Sequence, residues 1–121
     1  MSFKATVRRV GDVAIVDLAG RLTLGEGSGA LRNTVKDLLA NDDKKILLNL
    51  KEVSYLDSGG LGEMVGAYAS VTNAGGRIAL LHTQNKIHDL LQVTKLYTIF
   101  SDFSDESLAL NEFREQPQRS M

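Results

Sequence analysis

The sequence predicts an α/β domain in which helices cover a mixed sheet of four to five strands. The chain opens with two strand-like segments separated by Gly11-Asp12, a pattern typical of a β-hairpin. Beyond this hairpin, short apolar runs alternate with segments of helical periodicity. Such alternation indicates parallel strands joined by crossover helices, so the sheet should be parallel apart from its opening strand.

Length and composition favour a single domain with one ordinary core. The chain has 121 residues, of which 43% are hydrophobic, and its 14 basic and 15 acidic residues give a net charge of −1. This balance offers no electrostatic reason to expect nucleic acid or an anionic membrane as the main partner. The absence of cysteine excludes disulfides, thiolate chemistry and cysteine-ligated metals.

The sequence also suggests where the protein resides. Its N-terminal segment alternates apolar and polar residues and lacks the apolar run of a signal peptide. No apolar stretch approaches the roughly 20 residues that a membrane helix needs. We therefore expect a soluble, cytoplasmic protein.

The first 40 residues hold the hairpin and one helix. Alternating apolar residues predict strands over 3–7 and 13–18, followed by a loop over 20–29 that contains four glycines. Ser28 is predicted to cap the next helix. The apolar stripe of that helix consists of Leu31, Val35, Leu38 and Leu39.

Two further strands and a helix follow. The nearly continuous apolar run 46–50 is typical of a strand buried on both faces. A helix starts near Ser58 and ends at a glycine cap, Gly75-Gly76. Residues 77–82 are predicted to form another buried strand.

The C-terminal region is predicted to hold a short helix over 87–91, a short last strand over 97–100 and a final helix capped by Ser104. We expect residues 116–121 to be a disordered tail, which leaves 1–115 as the domain. Two histidines without carboxylates at ligand spacing are weak support for a metal, so no metal or cofactor is expected.

The stretch V53-S-Y-L-D-S-G-G-L-G62 is the most informative in the chain. It places Ser58 between an apolar strand and a helix, among Gly59, Gly60 and Gly62. Asp57 or Ser58 can cap the helix, but capping does not require glycines that each cost a helix about 1 kcal/mol relative to alanine. The residues leave two hypotheses open: a helix cap, or an accessible recognition site.

Two catalytic or nucleotide-binding hypotheses are disfavoured. A hydrolase nucleophile elbow requires G-x-S-x-G, and residue 56 is leucine; nothing in the sequence brings His82 or His88 near the serine. The segment 25–30 matches G-x-G-x-x-A, but it follows a hairpin strand rather than opening a βαβ unit. A flexible loop is the simpler interpretation of that segment.

A phosphate on Ser58 would be compatible with the fold. The unpaired N–H groups and the dipole of a helix N-terminus favour negative charge. The surface would gain about −1.5 to −2 charges beside Asp57. A partner that fits the neutral surface would then meet a bulky dianion.

These residues resemble a known family. The segment L56-D-S-G-G-L-G62 is similar to the phosphorylation-site signature of STAS domains, in particular bacterial anti-sigma-factor antagonists. The segments 13–22, 30–32, 75–81 and 87–96 are similar to the family's second strand, first helix, next strand and following helix, so the resemblance covers nearly the whole chain. It implies a STAS-like single domain with helices packed mainly on one face of the sheet.

The resemblance implies a partner-switching mechanism without enzymatic activity of the chain itself. The unmodified antagonist binds an anti-sigma factor that is also an ATP-dependent serine kinase, and so frees a sigma factor. The kinase then phosphorylates the serine that corresponds to Ser58, and a PP2C-type phosphatase resets the cycle. Asp57 would present Ser58, and the implied docking residues are Gly59, Gly60, Leu61 and Gly62.

One segment departs from the family pattern. Many members carry acidic residues after the second strand, whereas this chain has Arg21 and Thr23 in G20-R-L-T23. This segment is expected to lie beside the serine and to contact the partner. The departure favours an alternative function, a non-phosphorylated STAS scaffold in a stress-signalling or lipid-transport complex, while the intact serine favours the switch.

Overall fold

A computed structural model describes residues 3–115 of the chain. The strands are β1 (Lys4–Val10), β2 (Val13–Leu22), β3 (Lys45–Leu56), β4 (Arg77–Leu81) and β5 (Asp102–Phe103). The α-helices are α1 (Glu26–Ala40), α2 (Ser58–Asn73), α3 (Asn85–Thr94) and α4 (Glu106–Glu115), and residues 96–98 form a 3₁₀ turn. Residues 116–121, predicted to be a disordered tail, lie outside the described part.

The five strands form one mixed sheet in the order β1-β2-β3-β4-β5. Strand β1 pairs antiparallel with β2 through the hairpin that closes at Val10 and Val13, and each later neighbour is parallel. One α-helix joins each pair of neighbouring parallel strands. Because β2, β3 and β4 run in the same direction, their carboxyl ends lie at the same edge of the sheet. The predicted hairpin and mixed sheet are confirmed.

The helices divide unequally between the two faces of the sheet. Helices α1, α2 and α3 cover one face, where Val16, Leu48 and Leu80 belong to the larger core cluster. Helix α4 covers the other face, and its Phe113 packs in a smaller cluster with Leu47. Continuous apolar runs such as 46–48 are explained by this burial on both faces. The prediction of helices mainly on one face is confirmed.

The predicted loop over 20–29 is wrong. Strand β2 continues to Leu22 and α1 begins at Glu26, so the connection consists of residues 23–25. Gly20 has φ 103° at an irregularity in the β2–β3 register and therefore lies within the strand. Ser28 is not the cap residue: Gly25 holds that position, and Ser28 lies inside the first turn of α1.

Two C-terminal predictions are also wrong. Residues 97–100 do not form the last strand, because Lys95 with φ 63° ends α3 and the chain turns so that Phe100 enters the core. The fifth strand comes later and spans two residues. Asp105, not Ser104, caps α4, since its Oδ1 accepts the Ser107 N–H at 2.9 Å.

Strand β3 is longer than predicted, and this length positions the functional region. The apolar run predicted a strand over 46–50, but pairing with β2 carries β3 through Leu56. Helix α2 therefore begins directly after the strand, with only Asp57 between them. The predicted end of α2 is correct, since Gly75 with φ 81° follows its last turn.

Candidate functional site

The junction between β3 and α2 is held by the side chain of Asp57. This residue has extended backbone angles, φ −105° and ψ −177°, and its Oδ1 accepts the Gly60 N–H at 2.8 Å. Its Oδ2 accepts the Leu24 N–H at 3.4 Å. The Gly60 N–H is the main cause that lowers the pKa of Asp57 below its ordinary value, with the Leu24 N–H contributing further. The cap is therefore an ionised carboxylate at neutral pH.

Ser58 is the first residue of α2 and its side chain is exposed. Within residues 3–115, no hydrogen bond engages its hydroxyl. Because Asp57 already caps the helix, the alternative interpretation of Ser58 as the cap is wrong. The hydroxyl is free to meet another molecule.

The glycines of the first turn serve a purpose that the sequence did not indicate. A Cβ atom on Gly59 would lie 2.5 Å from Leu24 Cβ, and one on Gly60 would lie 2.0 Å from the Leu22 carbonyl oxygen. Both glycines are needed because the end of β2 and the β2–α1 connection pack directly on this turn. A Cβ atom on Gly62 would meet no atom of residues 3–115 within 4 Å, so Gly62 is the one open position among these three glycines.

The segment that departs from the family pattern does lie beside Ser58, as expected. Arg21 pairs with Tyr55 across the β2–β3 ladder, and the Leu22 carbonyl accepts the Asp57 N–H at 3.4 Å. The guanidinium of Arg21 lies 4.3 Å from the centre of the Tyr55 ring, a cation–π contact. Thr23 is half-buried, and its carbonyl accepts the Ser28 N–H at 3.0 Å.

Two apolar side chains near Ser58 were missed in the sequence. Leu24, which covers Gly59, is 76% exposed, and Tyr55, three residues before Ser58, is 46% exposed. Large apolar side chains this exposed are typical of protein-binding surfaces, and both flank the β3–α2 junction. A leucine inside an otherwise polar, glycine-rich connection was the available signal for Leu24, whereas nothing in the sequence distinguished Tyr55 from other strand residues.

The histidines do not form a catalytic group with Ser58. His88 lies on α3, where its Nδ1 is 3.5 Å from Asp102 Oδ2. His82 follows β4 with φ 58°. No hydrogen bond joins either ring to Ser58 in the described part of the chain. The serine hydrolase hypothesis therefore has no geometric support.

Residues 3–115 contain no group of three or more His, Cys, Asp or Glu side chains arranged to hold a metal ion. No helix in this range combines the length and the apolar character that crossing a bilayer requires.

Comparison with known proteins places the chain in a family. The family model of the STAS domain matches residues 4–109. An anti-sigma F factor antagonist of Paenibacillus polymyxa is 29% identical over 100 residues, which are 83% of this chain and 86% of that protein. The anti-sigma-B factor antagonist of Bacillus subtilis is 36% identical over 69 residues, 57% of this chain and 62% of that protein.

A solved structure gives the same result. The crystal structure of a candidate anti-sigma factor antagonist from Thermotoga maritima has 30% sequence identity and a TM-score of 0.84, with 91% of this chain and 94% of that chain covered. The sequence signature, the five-stranded mixed sheet and these similarities agree. The chain belongs to the STAS domain family, in the group whose named members are anti-sigma factor antagonists.

Proposed function

We propose that this protein is an anti-sigma factor antagonist whose partner-binding surface surrounds Ser58 and is switched off by phosphorylation of that residue. One observation carries the proposal: Ser58 is exposed at the start of α2 and its hydroxyl has no hydrogen-bond partner among residues 3–115, because Asp57 makes the cap contact in its place. The protein would act as a binding module and as a kinase substrate rather than as an enzyme.

The proposed binding surface combines exposed and supporting residues. Leu24 and Tyr55 provide exposed apolar area, and Gly62 leaves open space on the helix for a partner's close approach. Gly59 and Gly60 contribute indirectly, since they allow Leu24 and the preceding backbone to pack against α2. The remaining members of the surface are Arg21, Thr23, Asp57, Ser58 and Leu61.

The proposed partner is an anti-sigma factor that is also a serine kinase. The Ser58 Oγ would accept the γ-phosphoryl group of ATP held by the kinase, with release of ADP and transfer of the hydroxyl proton to the kinase. A PP2C-type phosphatase would return the serine to its free form. Family membership and the accessible hydroxyl support this proposed set of partners.

The charges at the junction explain how a phosphate would release the partner. Asp57 is ionised at neutral pH because backbone N–H groups stabilise its charge. A phosphoserine beside it would add about −1.5 to −2 charges. The helix N-terminus tolerates this anion, so the fold would persist while the surface changes from nearly neutral to strongly negative.

The test is a binding measurement with charge variants. Ser58→Asp is expected to weaken binding to the kinase-type anti-sigma factor of the same host by about tenfold or more, because the charge lies inside the interface. Ser58→Ala is expected to bind like wild type and to resist inactivation by ATP. Isothermal titration calorimetry would provide both affinities.

A matched control is available on the opposite face of the sheet. Ser107 is exposed in the first turn of α4, one position further into its helix than Ser58 is in α2, so Ser107→Asp adds the same charge near a helix N-terminus. This variant should bind normally. Equal affinity of Ser58→Asp and wild type would contradict the switch and favour a constitutive scaffold.

A further inference from the structure

Part of strand β3 has a neighbour on one side only. Its pairing with β2 continues to Leu22 and Leu56, whereas its pairing with β4 ends at Asn49 and Leu81. Residues 50–56 therefore form an open edge within the described part of the chain. The backbone groups along such an edge are positioned to pair with an added strand.

A side chain replaces the missing strand along the first part of this edge. The Gln84 Nε2 donates to the backbone carbonyls of Lys51 and Val53, the latter at 3.2 Å. Within residues 3–115, no other side chain bonds to the backbone of residues 53–56. Beyond Val53, no side chain of residues 3–115 takes the place of a neighbouring strand along this edge.

The open edge borders a cleft of about 660 Å³ between β3 and the first half of α3. Val53 and Ile87 are buried at its base, and Leu56 and Leu90 are half-buried along its walls. Tyr55 is partly exposed at its mouth. An extended segment paired with residues 53–56 would direct alternate side chains to opposite faces, so one set would enter this apolar space.

Charge indicates the composition of the occupant. Lys86 lines the cleft, is exposed and has no carboxylate partner among residues 3–115. No acidic side chain of that range lines the cleft. Lys51, also exposed and unpaired in that range, lies at the same end. Asp57 lies just beyond the opposite end, next to Leu56. An acidic side chain is therefore favoured near Lys86 and disfavoured near Asp57.

We propose that this cleft binds an extended peptide segment of the partner protein as an added strand along residues 53–56. An apolar side chain of the segment would pack between Leu56 and Leu90, and an acidic one would pair with Lys86. The inference rests on the proposed function, since it names how that partner would be held. A phosphate on Ser58 would lie two residues beyond Leu56, where pairing with the added strand ends.

The probe is a blocked hexapeptide of alternating valine and glutamate, titrated to millimolar concentration into the unphosphorylated chain labelled with ¹⁵N. We expect NMR shift changes confined to residues 53–56 and 84–90. A version with every backbone amide methylated keeps the side chains but has no N–H group to donate to the carbonyls of β3, and it should bind at least about tenfold more weakly.

Two lysine variants test the charge argument. Lys86→Glu should weaken the peptide several-fold. Lys36→Glu, at an exposed lysine on α1 that also has no ion pair within residues 3–115, should not. Absence of shift changes at residues 53–56, or equal binding of the methylated peptide, would overturn the proposal.

Self-association would also overturn it. Dimerisation that protects the amides of residues 53–56 would assign the edge to a second copy of the chain. The titration requires neither kinase nor phosphate, so its failure would leave the Ser58 switch intact. Conversely, a Ser58 that is never phosphorylated would not alter peptide binding.

Discussion

The starts of α1 and α2 have similar sequences and opposite serine environments. Each lies after a strand and combines a serine with several glycines, over residues 25–29 and 57–62. Ser28 is 2% exposed, and its Oγ accepts the Gly25 N–H at 3.1 Å. Ser58 is exposed and makes no side-chain hydrogen bond within residues 3–115.

The two serines differ in exposure and hydrogen bonding because a different residue bonds to the free N–H groups at the start of each helix. At α1 the cap position is Gly25, which has no side chain, so Ser28 reaches back from inside the turn. At α2 the Asp57 carboxylate does this from the cap position, and the serine that follows has no structural task. A serine at a helix start is thus available to a kinase only if a neighbour completes the cap.

The largest expected effect concerns glycines in the two junctions. Gly60→Ala places a Cβ 2.0 Å from the Leu22 carbonyl oxygen, a backbone atom that cannot move aside alone. We expect a loss of about 3 kcal/mol in unfolding free energy. Gly27→Ala, with its nearest contact at 2.8 Å, should cost less. Urea denaturation of both variants would rank them.

Gly62→Ala is the control for that comparison. Its added Cβ meets nothing within 4 Å, and alanine is the better helix former, so the variant should be neutral or more stable by about 0.5–1 kcal/mol. Similar losses for Gly60→Ala and Gly62→Ala would mean that the β2–α1 connection does not pack on α2 as described.

The two serines should differ in their contribution to stability. Ser28→Ala removes the acceptor of the Gly25 N–H and should lower the unfolding free energy by about 1 kcal/mol. Ser58→Ala removes no side-chain hydrogen bond within residues 3–115 and should change the unfolding free energy by less than about 0.5 kcal/mol. Thermal unfolding of the two variants under the same conditions would separate them. A larger loss of unfolding free energy for Ser58→Ala than for Ser28→Ala would show that Ser58 stabilises the fold.

The smallest effect is a difference in response to acid. The pKa of Asp57 is lowered in the folded protein, so its stabilising contact is complete above the unfolded value of about 3.9 and is lost as pH falls through the lower folded value. The Gly60 amide shift should therefore titrate with a midpoint below 3.9 in NMR spectra. The Gly25 amide, bonded to a hydroxyl, should show no such step. A midpoint above 3.9 for Gly60 would contradict the cap.

Much of the fold followed from local patterns, because strand and helix periodicities reflect which faces are buried. The hairpin, the mixed sheet and the Asp57–Ser58 junction were predicted in this way. The need for glycine at positions 59 and 60 was not predicted, because it arises from contacts with Leu22 and Leu24, which come from a distant part of the chain. Strand length was also missed, because pairing with β2 rather than apolar composition extends β3 to Leu56.

The candidate site was predicted only in part for the same reason. The sequence signature indicated Ser58 and Asp57 but could not assign the cap between them. The exposed position of Leu24 depends on how the β2–α1 connection lies over α2, and its place in a short glycine-containing connection was the only hint of this in the sequence. Contacts between distant segments therefore determine which residue caps α2 and which side chains near Ser58 are exposed, and composition alone does not show either.

The proposed switch requires Ser58 to accept a phosphate in the cell. This can be tested by intact-mass measurement with site mapping of the protein expressed in its native host, with and without stress. We expect a stress-dependent fraction that carries one phosphate on Ser58 and none on Ser28. Absence of phosphate under every condition, or phosphate on another residue alone, would rule out the switch and favour a constitutive STAS scaffold.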